Sequence, residues 1–298
     1  MAKNPIQDEH RAAGPPWTAR FSVLSRARIL KYGRSLRPCL ARAQDTPATR
    51  DHPEPGSEAG RPAFYALAPG GWRDYVTLLH LPYTAWHLSY VAIGAALTPD
   101  FAWDRFLPTV AAFFLAVGIG DHALDELNGR PLATRIPDAV LAVLAGVSIA
   151  GAVALGIVGA VTVSPWIALF AATGGFIVVA YNLEILGGRF HGDVWFALAW
   201  GAFPLATAYF AAAETLDAVA LVGAAAAFLL SRAQRLLSTP VRDVRRRVVS
   251  VEGRVERAEG TPEPVTAELL LRGKEAALRT LAGAMVALAA ALVIMRVT

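Results

Sequence analysis

The chain has 298 residues, of which 55% are hydrophobic and only 17% are charged. Soluble domains carry about 25% charged residues, so this composition excludes an ordinary soluble globular protein. The net charge of +4 does not indicate nucleic-acid binding, because basic segments flank apolar runs here as they do in membrane proteins. The single cysteine, Cys39, excludes an intramolecular disulfide bond and a cysteine-based metal cluster.

The region 1–70 precedes the first long apolar run and differs from the rest in composition. It is rich in proline, arginine, serine and glycine, and 45–61 has the composition of a disordered segment. The stretch 17–40 mixes basic and apolar residues, a pattern that fits a segment lying on an anionic membrane surface and equally a solvated basic tail. We therefore predict a basic, disordered cytoplasmic tail over 1–70 and a membrane domain over 71–298.

Seven apolar runs follow, each close to the length of about 20 residues that a helix needs to cross a bilayer. They lack the alternating pattern of membrane β-strands. A polar connection rich in arginine and glutamate, 242–274, separates the last two runs. The sequence thus predicts an all-α, polytopic transmembrane helical bundle with about seven spans. The predicted spans are 75–97, 106–127, 139–161, 165–186, 194–213, 216–237 and 278–295.

The distribution of lysine and arginine predicts how these spans are oriented. With seven spans, every lysine and arginine except Arg105 and Arg296 falls on one side of the membrane. The positive-inside rule places that side in the cytoplasm, with the N-terminus inside and the C-terminus outside. We expect an integral, multi-pass protein of a bacterial cell membrane, with three polar clusters meeting at its cytoplasmic face.

The first polar cluster contains two carboxylates at the cytoplasmic end of the second span. Asp121 and Asp125 are four residues apart and share one face of a helix. Charge at the rim of a membrane helix is costly and marks functional sites, and this pair suits a divalent cation that bridges to a phosphate-rich ligand. Alternatively, the acids pair with arginines and anchor the helix end. Arg130 fits either a phosphate contact or the basic charge expected of a cytoplasmic loop.

The second cluster lies at the connection between the fourth and fifth spans. Tyr181, Asn182 and Glu184 precede a tight Gly187-Gly188 turn, and Asp193 follows it. These polar groups can contribute to a site at the same membrane face. The plainer interpretations are that Asp193 caps the fifth helix and that Glu184 begins an exposed loop.

The third cluster is basic. Arg232 and Arg235 are neighbours on one helical face and can clamp a diphosphate, or they can supply positive-inside charge at a helix end. The following run of Arg245, Arg246 and Arg247 fits a patch that binds lipid headgroups.

Aromatic residues near the middle of the first span form one further candidate feature. Tyr83, His87 and Tyr90 share a helical face. They can line a chamber for an isoprenoid group, in which the rings stabilise an allylic cation. A packed aromatic face is the alternative.

Over 74–245 the chain resembles the UbiA superfamily of intramembrane prenyltransferases. The spacing of Asp121 and Asp125 fits the first two positions of the family's Asp-rich motif, and Arg130-Pro131-Leu132 is similar to the Arg-Pro-Leu that follows it. The segment from Tyr181 to Pro204 resembles the family's fourth-to-fifth connection. The chain departs from the pattern at Gly129, which replaces a third Asp, and after the sixth span, where arginines replace a second Asp-rich motif.

The resemblance implies a fold of nine helices, where the sequence predicts seven. It also implies that Mg²⁺ held by Asp121 and Asp125 binds the diphosphate of a polyprenyl donor, whose allylic cation an unidentified acceptor then captures. Glu184 and Asp193 would supply the missing catalytic carboxylates. The expected substrate-binding residues are Arg130, Tyr181, Asn182, Arg189, Arg232, Arg235, Tyr83 and His87.

Two other functions are compatible with the sequence. A non-catalytic relative would bind lipid or assist another membrane enzyme, and the missing second Asp-rich motif favours this alternative. A small transporter is disfavoured by the few intramembrane charges and by the lack of an inverted repeat.

Overall fold

The computed structural model describes residues 61–298. The predictions for the surface-lying segment 17–40 and for nearly all of the disordered tail fall outside the described residues. Within the described part, the regular structure is helical apart from one antiparallel ribbon of two two-residue strands. Helices α1 to α11, the π-helical segments π1 and π2 and strands β1 and β2 are, in chain order, α1 Trp72–Leu78, α2 Leu81–Ala96, α3 Trp103–Phe113, π1 Phe114–Asp121, α4 His122–Leu127, α5 Asp138–Thr162, α6 Ile167–Asn182, α7 Ile185–Gly188, α8 Asp193–Ala197, π2 Leu198–Ala202, α9 Phe203–Ala213, α10 Ala218–Arg247, β1 Arg254–Val255, β2 Glu263–Pro264 and α11 Ala267–Val297.

Five continuous helices in the described chain are long and apolar enough to cross a membrane. Helices α3, π1 and α4 form one of them, and α8, π2 and α9 form another. The structure is therefore an all-α bundle of a membrane-embedded protein. The five helices are Trp103–Leu127, Asp138–Thr162, Asp193–Ala213, Ala218–Arg247 and Ala267–Val297.

The first and fourth predicted spans correspond to shorter helices. The fourth is α6, an apolar helix of 16 residues. The first is interrupted after Leu78, because His80 adopts a left-handed conformation (φ 46°) and Pro82 begins a new helix. The total of seven spans and their direction across the membrane stay predictions.

The polar connection before the last helix is shorter than predicted. Helix α10 continues to Arg247 and α11 already begins at Ala267, so the connection covers 248–266 rather than 242–274. Thr266 caps α11 by accepting a hydrogen bond from the Leu269 N–H at 3.1 Å. The extra turns of α10 carry Arg242 and Arg246, whose side chains line a polar cavity that is described below.

Two of the long helices contain π-helical turns. Segment π1 ends at Asp121, and π2 contains Trp200. A π-helical turn adds a residue to the helical repeat and changes which side chains share a face, and such turns are frequent at functional sites. Both segments direct residues towards the polar end of the bundle.

Small residues allow the helices to pack closely, as expected in a membrane. A Cβ atom added at Gly94 of α2 would lie 2.3 Å from the carbonyl oxygen of Leu205 in α9. Around this contact, Trp86 and Tyr90 are completely buried, with Leu205 and with Met285 of α11 against them. Helix α2 is therefore packed closely against α9 and α11.

The folded region begins before residue 70, the predicted end of the tail. Ala63 and Ala66 pack against Leu132. The Arg279 guanidinium lies 4.9 Å from the centroid of the Phe64 ring, and the side chain of Arg245 donates to the carbonyl oxygen of Arg61 at 3.1 Å. We call 61–67 the N-terminal strap.

The close approach at Gly94 gives a test of the packing. Gly94→Ala should destabilise the protein by about 1–3 kcal/mol, because the new methyl group collides with backbone that cannot easily move. Gly146→Ala on α5 is the matched control, since a Cβ there has no neighbour within 4 Å. Thermal unfolding in detergent should show a lower Tm for Gly94→Ala only; equal values would contradict the described packing of α2 on α9.

Candidate functional site

A polar cavity of about 90 Å³ lies at one end of the bundle. It is formed by side chains from the N-terminal strap, α2 and its N-cap, the π1–α4 helix, α6, the α8–π2 helix with the loop before it, and α10. The residues that line it are Tyr65, His80, Tyr83, His87, Asp121, His122, Asp125, Tyr181, Asn182, His191, Phe196, Trp200, Gln234, Arg235, Ser238, Arg242 and Arg246.

Two carboxylates line one wall of this polar cavity. Asp121 is buried at the end of π1 and accepts a hydrogen bond from the side chain of Asn182. Asp125 follows one turn later and is half-buried. The predicted pair thus lies on one helical face and reaches a shared cavity.

Two arginines on α10 line the same cavity without a carboxylate partner. Arg242 donates to the Thr239 hydroxyl and Arg246 to the Pro62 carbonyl oxygen, both at 3.4 Å. Both guanidinium groups interact electrostatically with Asp125, yet among the described residues neither lies within salt-bridge distance of any acid. The cavity is therefore lined by acidic and basic side chains that form no ion pairs with each other in the described chain.

Two buried polar atoms of the cavity lining have no hydrogen-bond partner within the described chain: the Tyr181 hydroxyl and the Gln234 amide oxygen. Tyr181 is 7% exposed and Gln234 is 2% exposed. Leaving a buried polar group unpaired costs about 1–3 kcal/mol. Native proteins usually pair such groups with protein or ligand atoms, so both atoms indicate a position for a polar ligand.

Four histidines also line the cavity. His80 and His122 stack with their ring centroids 3.9 Å apart. His87 Nδ1 donates to the Trp200 carbonyl oxygen at 2.7 Å, and His122 Nδ1 donates to that of Gly118 at 3.1 Å. Despite these rings, no group of three or more His, Cys, Asp or Glu residues in the described chain is arranged to hold a metal ion. A cation here would therefore need ligand oxygens in addition to Asp121 and Asp125.

The N-terminal strap supplies Tyr65 to the cavity. Its ring lies 5.3 Å from that of His80 and 5.5 Å from that of Tyr83, measured between centroids. Burial raises the pKa of the Tyr65 phenol well above its ordinary value. The hydroxyl consequently stays protonated and can donate a hydrogen bond to an anion.

A second, apolar cavity of about 240 Å³ adjoins the polar cavity. It lies between the Trp103–Leu127 helix, α5, α6 and the Asp193–Ala213 helix. Trp200 lines both cavities. Trp200 is thus the wall shared by a polar cavity and an apolar one, an arrangement that suits a ligand with an anionic head and a hydrocarbon chain.

Seven of the predicted site residues come together in the polar cavity. Six of them belong to three of the predicted features: the Asp pair, the fourth-to-fifth connection and the aromatic face of the first span. Arg235 is the only member from the basic cluster. The seven are Tyr83, His87, Asp121, Asp125, Tyr181, Asn182 and Arg235.

The carboxylates predicted to complete the catalytic set lie outside the polar cavity. Glu184 is exposed and begins a turn in which Leu186 and Gly187 also have positive φ values. Asp193 accepts a hydrogen bond from Arg235 Nε at 3.1 Å and does not cap the helix, whose N-cap is Gly192. Its charge is therefore used in an ion pair at the rim.

Three predicted substrate-binding arginines also lie outside it. Arg130 donates to the carbonyl oxygens of Thr134 and Ile136 and pairs with Asp138, so it holds its own loop. Arg189 is exposed and Arg232 is half-buried, and neither lines either cavity. The predicted lipid-binding patch is also divided, since Arg245 is buried against Glu275 (Nη2 to Oε2, 3.0 Å) and Arg246 lines the cavity.

A regular pattern on α10 was missed by the sequence analysis. Gln234, Ser238, Arg242 and Arg246 recur at intervals of four, which places them along one helical face, and all four line the polar cavity. This spacing is visible in the sequence. The pattern was not recognised because the sequence analysis ended the sixth span at 237 and assigned 242–274 to a polar connection.

Comparison of the chain with family models, curated proteins and solved structures finds no match. The resemblance to the UbiA superfamily therefore depends on the short motifs alone.

The unpaired Tyr181 hydroxyl gives a second test. Tyr181→Phe should not lower Tm and can raise it, because the change removes a buried group that has no partner. Tyr209→Phe is the matched comparison, since the Tyr209 hydroxyl donates to Asp217 at 2.6 Å and its removal should lower Tm by a few degrees. A larger loss for Tyr181→Phe in thermal unfolding of the ligand-free protein would show that its hydroxyl is already satisfied.

Proposed function

We propose that this protein is a membrane prenyltransferase of the UbiA type, which ionises a polyprenyl diphosphate with the help of Mg²⁺ and transfers the prenyl group to an acceptor. The observation that carries this proposal is the separation of charge in the polar cavity. Asp121 and Asp125 face Arg242 and Arg246 without forming ion pairs with them. A metal-bound diphosphate would occupy the space between the acids and the arginines.

Asp121 and Asp125 fit Mg²⁺ provided that water and substrate phosphate oxygens complete its coordination. Mg²⁺ prefers oxygen ligands, keeps several waters and usually takes only one or two carboxylates together with substrate phosphates. Two carboxylates are what the polar cavity offers. Bound there, Mg²⁺ would neutralise charge on the departing diphosphate. The Tyr181 and Tyr65 hydroxyls are neutral donors for the same phosphate oxygens.

The apolar cavity supports binding of the prenyl chain. Trp200 stands at the junction of the two cavities, where the reacting carbon of a prenyl diphosphate would lie. The centroids of Tyr181 and Trp200 are 4.4 Å apart, and those of Phe196 and Trp200 are 5.5 Å apart. Such a group of rings can stabilise an allylic cation, and the surrounding apolar helices exclude water.

The acceptor reaches the cation from the polar side in this proposal. His87 is fixed by its hydrogen bond to the Trp200 carbonyl oxygen and therefore borders the same junction. In this proposal the polar cavity faces the cytoplasm of a bacterial cell, and the basic loop charges support this orientation through the positive-inside rule.

One alternative has a specific observation in its favour. A non-catalytic lipid-binding or accessory protein of the same fold needs the head-and-tail cavities but not a second set of carboxylates, and Glu184 and Asp193 do not provide one. The two functions differ in a measurable way, because only the enzyme releases inorganic diphosphate.

The catalytic proposal predicts the effect of neutralising either carboxylate. Asp121→Asn and Asp125→Asn should each reduce Mg²⁺-dependent release of diphosphate from geranylgeranyl diphosphate by about 100-fold or more. The assay uses purified protein in lipid nanodiscs with a total membrane extract as the source of acceptor. Asp243→Asn, at an exposed position on α10, should retain the wild-type rate. Binding without any release by the wild type would favour the accessory function.

The proposed orientation is tested by labelling. With Cys39 replaced by Ser, a cysteine at exposed Glu259 in the 248–266 connection should be protected from a membrane-impermeant maleimide in intact cells. A cysteine at exposed Asp100 should react. The reverse pattern would invert the assigned topology.

A further inference from the structure

The polar cavity has too few carboxylates for more than one metal ion. Among the residues that the structure describes, 61–298, Asp121 and Asp125 are the only acids in its lining. Asp193 is paired with Arg235. Glu126 is buried and accepts hydrogen bonds from the backbone N–H groups of Leu132 and Thr134. Asp193 and Glu126 are therefore already engaged in other interactions.

Two arginine side chains line the cavity together with this single acid pair. Arg242 and Arg246 are one turn apart on α10, so their side chains leave the same helical face. Placing a cation in a partly buried site costs free energy unless a counter-charge is present. Among the described residues no carboxylate pairs with either guanidinium, and a bound anion would supply the missing charge.

Arg235 differs from these two arginines. It also lines the cavity, but its charge is balanced by Asp193 and its guanidinium lies 5.2 Å from the centroid of the Phe196 ring. This arrangement holds the side chain against the aromatic wall. Arg242 and Arg246 are consequently the residues best placed to bind a phosphate directly.

We infer that the cavity binds a diphosphate with one divalent cation and two arginines, so that Arg242 and Arg246 balance the negative charge that a single cation leaves. This inference rests on the proposed function. Asp121 and Asp125 hold the single cation against one part of the diphosphate. The guanidinium groups of Arg242 and Arg246 donate to the remaining phosphate oxygens, for which their planar, multiply donating geometry is suited. The Tyr181 hydroxyl, unpaired in the cavity wall, donates to the same anion.

The number of metal ions is the first readout. Mn²⁺ replaces Mg²⁺ as a paramagnetic probe, and the full chain in detergent is saturated with geranylgeranyl S-thiolodiphosphate, a non-reacting analogue. Electron paramagnetic resonance should then count one bound Mn²⁺ per protein, with the spectrum of an isolated ion. Two ions per protein, or a spectrum of coupled ions, would overturn the inference.

The arginines provide the second readout. Arg242→Gln and Arg246→Gln should each weaken binding of the analogue by about tenfold to 100-fold, as expected for loss of a charged hydrogen bond, while the Mn²⁺ count stays at one. Arg247→Gln is the matched control, because Arg247 is on the same turns of α10 but its side chain is 83% exposed. Arg242→Lys and Arg246→Lys keep the positive charge and should each recover part of the affinity for the analogue. This recovery distinguishes loss of the charge from misfolding of the Gln variants.

The failures of the two proposals are distinguishable. A wild-type protein that binds neither Mn²⁺ nor the analogue refutes the proposed function itself. A wild-type protein that binds both, and whose affinity is equally insensitive to Gln at 242, 246 and 247, leaves the function standing and refutes the role of the arginines.

Discussion

The structure depends on a group of opposite charges held apart at one end of an apolar bundle. Ionised side chains at membrane depth are costly and persist where they face a cavity or each other. In the part of the chain that the structure describes, Asp121 and Asp125 form no ion pair with Arg242 or Arg246. Instead the polar cavity remains between the two pairs, with the Tyr181 hydroxyl unpaired in its wall. A site with this arrangement is suited to a ligand that carries negative charge and brings a cation with it.

The rest of the fold maintains that separation. The π-helical turn that ends at Asp121 sets the direction of the acids, and the long α10 helix carries the arginines past the apolar part of the bundle. Asn182 holds Asp121, and the N-terminal strap holds Arg246 through the Pro62 carbonyl oxygen. Close packing of α2 on α9 at Gly94 keeps the helices behind the cavity fixed. The helix packing thus keeps the acids of the cavity separated from Arg242 and Arg246, although opposite charges attract one another.

Much of the fold was predictable because apolar runs of membrane length are a strong signal, and the Asp pair stood out since acids are rare in such runs. The extent of α10 was not predictable from hydropathy, because its last turns are polar on the outside and bury arginines inside. Arg130 and Asp193 were predicted to serve the site, but Arg130 pairs with Asp138 in its own loop and Asp193 pairs with Arg235, which only the tertiary fold brings near. Tyr65 was assigned to a disordered tail, since nothing in its local sequence shows that it packs against His80 and Tyr83.

The central claim is that a diphosphate fills the space between the acids and the arginines. It is tested most directly by an experimental structure of the full chain with Mg²⁺ and geranylgeranyl S-thiolodiphosphate. The account predicts density for one metal ion beside Asp121 and Asp125, phosphate oxygens in contact with Arg242 and Arg246, and a prenyl chain passing Trp200 into the apolar cavity. Direct Asp125–Arg242 or Asp125–Arg246 ion pairs in a closed cavity, with the analogue bound elsewhere or not at all, would contradict it.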